Sequence, residues 1–294
     1  MLFLHYIDKT NPIDGNLLTV LDYSLFCQDN NIKHTSILIL PSYTYNVQDK
    51  LDFEQLLFKL IKSRYNNHEK IRVYTCDEHQ IKELVTLKFT KLVCSDRTFE
   101  EIHKMDIHFI LQSKKFIIYR TWHSFYNREV ENPNNYGIII LNENPSCGNY
   151  NYNRKIYFDG LRNTDCNENT AFILANGERR ISEDYVEEYL SPKYKDNYDK
   201  IILVSNYKLE VQKPFIWYNT LYLPDLFNYK TFVYCGSNNY DYSPRMLLES
   251  IYLNKEIIMD SYPLNYSDRF LTVVKPDLLT NYTLDLSDAI INDF

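Results

Sequence analysis

Apolar runs rich in β-branched and aromatic residues alternate with helical patterns along the first half of the chain. The runs LFLHYI, HTSILIL and KIRVYTC are separated by NLLTVLDYSLFCQDNN and DFEQLLFKLIKSRY. Strand, helix, strand, helix, strand is the pattern of a parallel sheet with crossover helices. The strands are continuously apolar, as a sheet covered on both faces requires. The runs KLVCS, HFILQSKKFIIY and GIIIL extend this predicted sheet.

A polar stretch interrupts the alternation at Asn142–Asn153, where the sequence reads NENPSCGNYNYN. Its Pro, Gly and Asn residues without periodicity indicate a loop, and 294 residues suit two domains of ordinary size. The alternation then resumes with KIYFDGL, TAFILAN, ISEDYVEEYLS, KIILVSN, NTLYLP and TFVYCG. We predict two Rossmann-like, doubly wound α/β domains, residues 1–148 and 149–275, facing a central cleft. Residues 276–294 are predicted to form a C-terminal tail or helix that packs back on the first domain.

The charge distribution limits the classes of function. Residues 1–150 hold 17 Lys and Arg against 18 Asp and Glu, a net charge of −1, so the remaining 15 against 21 give −6. A basic footprint normally supplies most of the affinity for nucleic acid. Bulk charge therefore gives DNA binding no support, and the first half is the better candidate for contact with a polyanion.

Composition predicts a soluble, cytoplasmic protein. No apolar run approaches the length of a membrane span, and the start MLFLHYIDKT turns polar too soon for a signal peptide. The six cysteines are scattered, with no CxxC pair and no zinc-finger spacing, which predicts buried free thiols.

The stretch YDYSPRMLLES, Tyr240–Ser250, predicts a helix that starts with an unfavourable charge. Ser243 is a preferred N-cap residue and Pro244 a preferred first helical residue. Arg245 then places a cation against the positive end of the helix dipole, where Asp or Glu would stabilise the helix. Glu249 follows one turn later on the same face. An anion at this end would turn Arg245 into a ligand.

The position of this helix favours a nucleotide. It follows the strand TFVYC, so its free N–H groups lie at the carboxyl edge of the sheet, where phosphates and other ligands bind. Glu249 can accept hydrogen bonds from the two hydroxyls of a ribose, one helical turn from a phosphate on Arg245. The alternative is a surface helix whose Arg245 and Glu249 form a solvated pair, worth roughly a few tenths of a kcal/mol.

The segment Phe227–Asp260 resembles the donor-binding segment of GT-B glycosyltransferases. Its Ser-Pro-Arg followed by Glu, after a Tyr/Asp loop, is similar to small glycosyltransferases of tailed phages. The resemblance implies that Ser243, Pro244 and Arg245 form the phosphate-binding helix start and that Glu249 holds the ribose. The expected donor is a nucleotide-diphosphate sugar, with a UDP-sugar first among them.

A second part of this resemblance is the run FDGLRN, Phe158–Asn163, which is predicted to end the first strand of the second domain. It is similar to the glycine and arginine loop that contacts the donor phosphate in the family, with Gly160 and Arg162 as the matching residues. The glycine-rich loop of the family's N-terminal domain is reduced here to NPIDGN, Asn11–Asn16.

Two residues of the first half are candidate catalytic bases. Asp14 stands where an acceptor-side base could stand, beside Gly15; the alternatives are that Asp14 caps a helix and Gly15 serves the turn. His123 lies in YRTWHSFYN after a strong strand and could also act as a base. The alternative for His123 is a satisfied polar residue beside a core tryptophan, Trp122.

The absence of three sequence motifs argues against three classes of active site. There is no DxD, GxGxxG or GxxxxGK[ST] in the sequence, so manganese-dependent GT-A, dinucleotide oxidoreductase and P-loop sites are not predicted. We predict a metal-independent glycosyltransferase with no cofactor beyond the nucleotide sugar. The expected acceptor is a hydroxymethylated pyrimidine in phage double-stranded DNA, flipped from the duplex. The alternatives are a surface glycan or small acceptor, and a non-catalytic nucleotide-binding protein.

Overall fold

The chain forms two compact units. The computed structural model describes residues 1–84, 91–104, 115–120, 138–142, 156–164, 166, 168–175, 182–205, 208–219, 228–236 and 245–261. Unit 1 contains Met1–Ile61 and the described residues of Asn67–Gly160, and unit 2 contains Lys62–Asn66 and the described residues from Leu161 onward. The sequence predicts a limit at residue 148, whereas the chain passes from unit 1 to unit 2 at Gly160–Leu161.

Unit 1 is built on a parallel sheet of six strands. The strands are β1 (Leu2–Tyr6), β2 (Thr35–Ile39), β3 (Tyr74–Cys76), β4 (Lys91–Ser95), β5 (Lys115–Arg120) and β6 (Ile138–Asn142). Their order is β3-β2-β1-β4-β5-β6, with every neighbouring pair parallel. The helices in the described part of unit 1 are α1 (Gly15–Asp29), α2 (Val47–Arg64), α3 (Glu78–Leu84) and α4 (Asp96–Lys104), and a 3-10 turn covers His68–Lys70. The end of α2, from Lys62, belongs to unit 2.

The first strand of unit 1 is buried on both faces, as its unbroken apolar run requires. All five residues of β1 are buried, and β2 is buried from Ser36 to Ile39. One cluster of its apolar side chains packs with α3 and α4 through Ile81 and Ile102. Burial of these side chains at roughly 1.5–3 kcal/mol each is what holds the helices on the sheet.

Unit 2 repeats the same strand order with five parallel strands. They are β7 (Thr170–Ala175), β8 (Lys200–Ser205), β9 (Phe215–Asn219), β10 (Thr231–Gly236) and β11 (Glu256–Ser261), in the order β11-β10-β7-β8-β9. A helical segment runs through α5 (Glu183–Tyr185), a π-helical turn (Val186–Leu190) and α6 (Ser191–Tyr194). Helix α7 (Arg245–Tyr252) lies between β10 and β11 in the sequence.

The predicted fold class is confirmed in that both units are parallel, doubly wound α/β sheets. One strand prediction is wrong, because Phe158–Gly160 forms a 3-10 turn and β7 is the first strand of the second sheet. Strand β9 covers Phe215–Asn219, and the strand predicted at NTLYLP lies outside the described residues apart from Asn219. The predicted tail, residues 276–294, lies outside the described residues.

Two further sequence expectations bear on the whole chain. Within the described residues, no helix combines the length and the apolar character needed to cross a bilayer. Cys27, Cys76 and Cys94 are buried free thiols, as predicted, and Cys166 is half-buried. Burial raises the pKa of Cys27 and of Cys76 to about 12, so both thiols stay protonated at neutral pH.

Candidate functional site

Each sheet has one topological switch point at its carboxyl edge. The strand order reverses between β1 and β4 in unit 1 and between β7 and β10 in unit 2. Doubly wound sheets bind ligands outside the carboxyl ends of the strands at such points. The residues that follow β1, β4 and β10 are therefore the first candidates for a site.

In unit 2, the predicted strand, helix and strand around Arg245 are present. The chain leaves β10 at Gly236, enters α7 at Arg245 and returns as β11, which pairs with β10 along its whole length. Arg245 is thus the first residue of its helix. Ser243 and Pro244, predicted as the cap and first turn, lie outside the described residues.

Arg245 and Glu249 do not form a solvated surface pair. The side chain of Arg245 is only 7% exposed and that of Glu249 is fully buried, with Arg245 Nη1 3.3 Å from Glu249 Oε1. The surface-helix alternative is therefore wrong, because both charges lie out of water. A cation at the positive end of a helix needs a compensating interaction there, and Glu249 supplies one from the next turn.

Glu249 has a second partner that the sequence did not indicate. Arg64, also fully buried, donates from Nη1 to Glu249 Oε2 over 3.1 Å and from Nη2 to Oε1, a bidentate pair. Its Nε donates to the hydroxyl of Tyr65 over 3.1 Å. Arg64 is the last residue of α2, where a basic residue is ordinary on any helix, so the sequence carries no signal for this contact.

The bidentate pair changes what Glu249 can do. A carboxylate has about four lone-pair positions, and the guanidinium groups of Arg64 and Arg245 use three of them in Glu249. Glu249 therefore holds two arginines in place within unit 2. Its contact with a ribose stays a prediction, and a ribose hydroxyl would have to use the remaining position on Oε2.

The far end of α7 is anchored by two further hydrogen bonds. The hydroxyls of Tyr229 and Ser250 lie 2.6 Å apart in the core, and burial raises the pKa of Tyr229, so the phenol stays neutral. Lys255, after the helix, donates to the carbonyl of Thr164 over 2.8 Å. These contacts fix the helix that presents Arg245.

Gly160 and Arg162, predicted as one phosphate loop, belong to different units. A Cβ on Gly160 would lie 2.6 Å from Leu25 Cδ2 and 2.8 Å from the ring of Tyr157, so close packing onto α1 requires glycine here. Arg162 donates to the carbonyl of Lys62 over 3.1 Å, and its N–H donates to the carbonyl of Arg64 over 2.8 Å. Their contact with a phosphate stays a prediction.

At the switch point of unit 1, Asp14 caps helix α1. Asp14 Oδ1 accepts from the N–H groups of Asn16 over 2.9 Å and Leu17 over 2.8 Å, as an N-cap residue does. The capping alternative is thus confirmed, and a role as base stays a prediction. The side chain of Asp14 is 20% exposed, and His5 Nε2 of strand β1 lies 3.3 Å from Oδ1.

A second carboxylate follows β1 and pairs with a residue of α4. Arg97 Nη2 donates to Asp8 Oδ2 over 2.5 Å, and the N–H and hydroxyl of Thr10 donate to Asp8 Oδ1. Burial works to raise the pKa of Asp8, but these hydrogen bonds outweigh it and lower the pKa below its usual value. Asp8 is therefore ionised at neutral pH and joins the carboxyl edges of β1 and β4.

Several other predicted residues can be placed only in part. His123 and Trp122 lie outside the described residues. Arg120 ends β5 at the carboxyl edge, whereas Lys115 begins the strand at the opposite edge. No cluster of His, Cys, Asp and Glu that could hold a metal ion occurs among the described residues, and metal independence stays a prediction.

Comparison with known proteins gives weak structural similarity. No protein-family model and no curated protein matches the sequence. The chain is similar to the E. coli ADP-heptose lipopolysaccharide heptosyltransferase II at 8% identity and a TM-score of 0.41, over 87% of this chain and 83% of that one. It is similar to Arabidopsis thaliana UGT89C1 complexed with UDP at 9% identity and a TM-score of 0.42, over 87% and 79%.

A third similar structure is MurG of Acinetobacter baumannii, at 8% identity and a TM-score of 0.35, over 96% of this chain and 92% of that one. At such identities and TM-scores the similarity carries no argument about activity. Any functional conclusion has to come from the residues of this chain.

Replacing Arg64 or Glu249 should destabilise unit 2 strongly. Arg64→Met or Glu249→Leu leaves a buried charge without its bidentate partner, which costs about 3–5 kcal/mol in the free energy of unfolding. The double variant should lose clearly less than the sum of the two, because it removes both charges. Urea unfolding of the four proteins measures this coupling.

The exposed pair Lys208–Glu210, 3.6 Å apart, is the matched control. Lys208→Met should change the free energy of unfolding by less than about 0.5 kcal/mol. If the double variant lost the sum of the two single losses in the free energy of unfolding, the predicted coupling between Arg64 and Glu249 would be wrong.

Gly160→Ala should destabilise unit 1 by about 1–3 kcal/mol, because the added methyl group has to displace Leu25 or Tyr157. Asn163→Ala, at an exposed position just beyond, is the control and should be nearly neutral. Thermal unfolding of both variants measures the difference. A neutral Gly160→Ala variant that loses nucleotide binding would instead favour the phosphate role.

Proposed function

We propose that this protein is a glycosyltransferase that binds a nucleotide-diphosphate sugar on unit 2 and transfers the sugar to a hydroxyl group. The observation that carries the proposal is the position of Arg245. It is the first residue of the helix that follows β10, at the carboxyl edge beside the switch point of a doubly wound sheet.

Phosphate binding at this helix start follows from two additive effects. The first N–H groups of α7 have no partner within the helix, and the helix dipole favours negative charge there. Arg245 adds a guanidinium, which suits phosphate oxygens better than any other side chain. Because its side chain is 7% exposed, the proposal requires the diphosphate to meet the exposed edge of Arg245 together with the N–H groups.

The same groups would assist the reaction. When the bond between the sugar and the diphosphate breaks, negative charge grows on the leaving oxygen. Fixed donors and a cation stabilise that charge without reorganisation, and this does not require a metal ion. In the proposal Glu249 and Arg64 keep the guanidinium of Arg245 fixed, so no side-chain rotamer has to be frozen when the donor binds.

The acceptor we propose is a hydroxymethylated pyrimidine in DNA. Its support is the resemblance of the Ser-Pro-Arg and Glu segment to small phage glycosyltransferases and the nearly neutral first half of the chain. Lys115 and Arg120 are the first and the last residue of β5. A surface glycan or small acceptor is the alternative outcome of the acceptor assay.

UDP and UDP-sugars should raise the melting temperature of the wild-type protein, and Arg245→Met should reduce the shift. A ligand at about 100 times its Kd adds roughly 2.7 kcal/mol to the stability of the folded state. Removing a charged hydrogen bond to phosphate should weaken Kd by at least tenfold. Thermal-shift titrations with UDP-glucose, UDP-galactose, UDP-N-acetylglucosamine and GDP-mannose measure both effects.

Lys230→Met is the matched control, since Lys230 is an exposed cation just before β10, at the opposite edge of the same sheet. It should bind like the wild type. Glu249→Ala is a poor probe, because it also breaks the buried pair with Arg64. If no nucleotide sugar shifts the wild-type melting temperature, the proposed function is wrong.

Transfer should depend on the acceptor hydroxyl. With the sugar nucleotide that binds best, DNA containing 5-hydroxymethylcytosine should gain the mass of one sugar residue of that donor per modified base, and the same duplex with cytosine should gain none. Mass spectrometry of the digested DNA measures this. Transfer to an oligosaccharide alone would establish the glycan alternative, and binding without turnover on any acceptor would establish a non-catalytic nucleotide-binding protein.

A further inference from the structure

A chain of polar side chains crosses the switch point of unit 1, from the end of β4 to the start of α1. Strands β1 and β4 are neighbours, with Leu4 opposite Cys94, so the next residues, His5 and Ser95, lie side by side. Beyond them lie Thr98 in the first turn of α4 and the cap residue Asp14. His5, Ser95 and Thr98 are all buried.

The hydroxyl of Thr98 has its acceptor positions filled. Thr98 Oγ1 accepts from the N–H of Tyr6 over 3.1 Å and from the hydroxyl of Ser95 over 2.9 Å. A hydroxyl has one proton and two lone pairs, so the proton of Thr98 remains to be donated. Its next neighbour is His5 Nδ1, 3.4 Å away.

This arrangement selects one tautomer of His5. If Thr98 donates to Nδ1, that nitrogen is the acceptor and the proton of the neutral imidazole is on Nε2. Nε2 lies 3.3 Å from Asp14 Oδ1, which can only accept. His5 Nε2 thus lies near the same carboxylate oxygen that caps α1.

We propose that His5 is a positioning residue for Asp14, and that it directs Asp14 Oδ2 to serve as the base in sugar transfer. Three nitrogens lie within 3.3 Å of Oδ1, namely those of the Asn16 and Leu17 N–H groups and Nε2 of His5. Asp14 Oδ2 accepts from Nδ2 of Asn16 over 3.4 Å, the longest of these contacts. The inference rests on the proposed function, because a base is needed only if the protein transfers a sugar to a hydroxyl group.

The proton balance of the step is simple. The acceptor oxygen forms a bond to the anomeric carbon, and its proton passes to Asp14 Oδ2. The bond between that carbon and the diphosphate oxygen breaks, and its electron pair leaves with the diphosphate. His5 keeps its proton throughout and acts only by holding Asp14.

The tautomer can be tested without any substrate, by two-bond 15N–1H spectra of the imidazole rings at neutral pH. His34 in the same unit is the internal control, because its Nδ1 lies 3.0 Å from the carbonyl of Ile32, which requires the proton on Nδ1. Burial lowers the pKa of His34, so its ring is neutral. We expect opposite tautomers, with signals assigned from His5→Gln and His34→Gln.

Turnover separates positioning from packing. His5→Leu should lower kcat for sugar transfer by roughly 100-fold, as misplacing a catalytic group does, with KM for the nucleotide sugar nearly unchanged. His5→Gln, whose amide N–H can reach the place of Nε2, should recover most of the loss. Thr98→Val is a second variant, for the case that His5→Leu does not fold, and it keeps both His5 and Asp14. It should lower kcat by less than His5→Leu does.

Three results would overturn the inference: a proton on Nδ1 of His5, equal kcat values for His5→Leu and His5→Gln, or full kcat in Thr98→Val. If the wild-type protein turns over no nucleotide sugar with any acceptor, the proposed function fails and the catalytic role of His5 fails with it. The tautomer then reports separately whether the hydrogen-bond arrangement is right.

Discussion

The buried pair between Arg64 and Glu249 is the interaction on which the candidate donor site depends. Both side chains are fully out of water, where an isolated charge costs several kcal/mol, so each is tolerable only because the other is in place. Glu249 also accepts from Arg245, which ties the first residue of α7 to the end of α2 through one carboxylate. The carboxylate that Arg245 contacts is thus also bound by a residue 185 positions away in the chain.

Two residues that were predicted to bind the donor already have structural roles. Glu249 has the residue type and spacing of a ribose ligand, yet its oxygens already serve two guanidinium groups. Gly160 has the type of a phosphate-loop glycine, yet packing against Leu25 and Tyr157 already requires it. In both cases the residue that was predicted to bind the donor already has a structural role. Donor binding would therefore be a second role of the same residue.

At the switch point of unit 1, a predicted catalytic residue also has a structural role. Asp14 caps α1 through Oδ1 and its side chain is partly exposed, and its role as a base stays a prediction. His5 is buried in β1, within an apolar run where a histidine is ordinarily a satisfied core residue. Its place beside Ser95 depends on the parallel pairing of β1 with β4, which brings together residues distant in the chain.

The sequence by itself determined the two parallel α/β sheets, the strand, helix and strand around Arg245, and the cap at Asp14. These follow from local periodicity and from side-chain hydrogen bonds to nearby N–H groups, which are properties of short segments. Only the tertiary structure decided that Phe158–Gly160 is a turn packed on α1, that Arg64 is the partner of Glu249, and that His5 faces Asp14. Each of these depends on the distance between segments far apart in the chain, and local residue patterns carry no information about that distance.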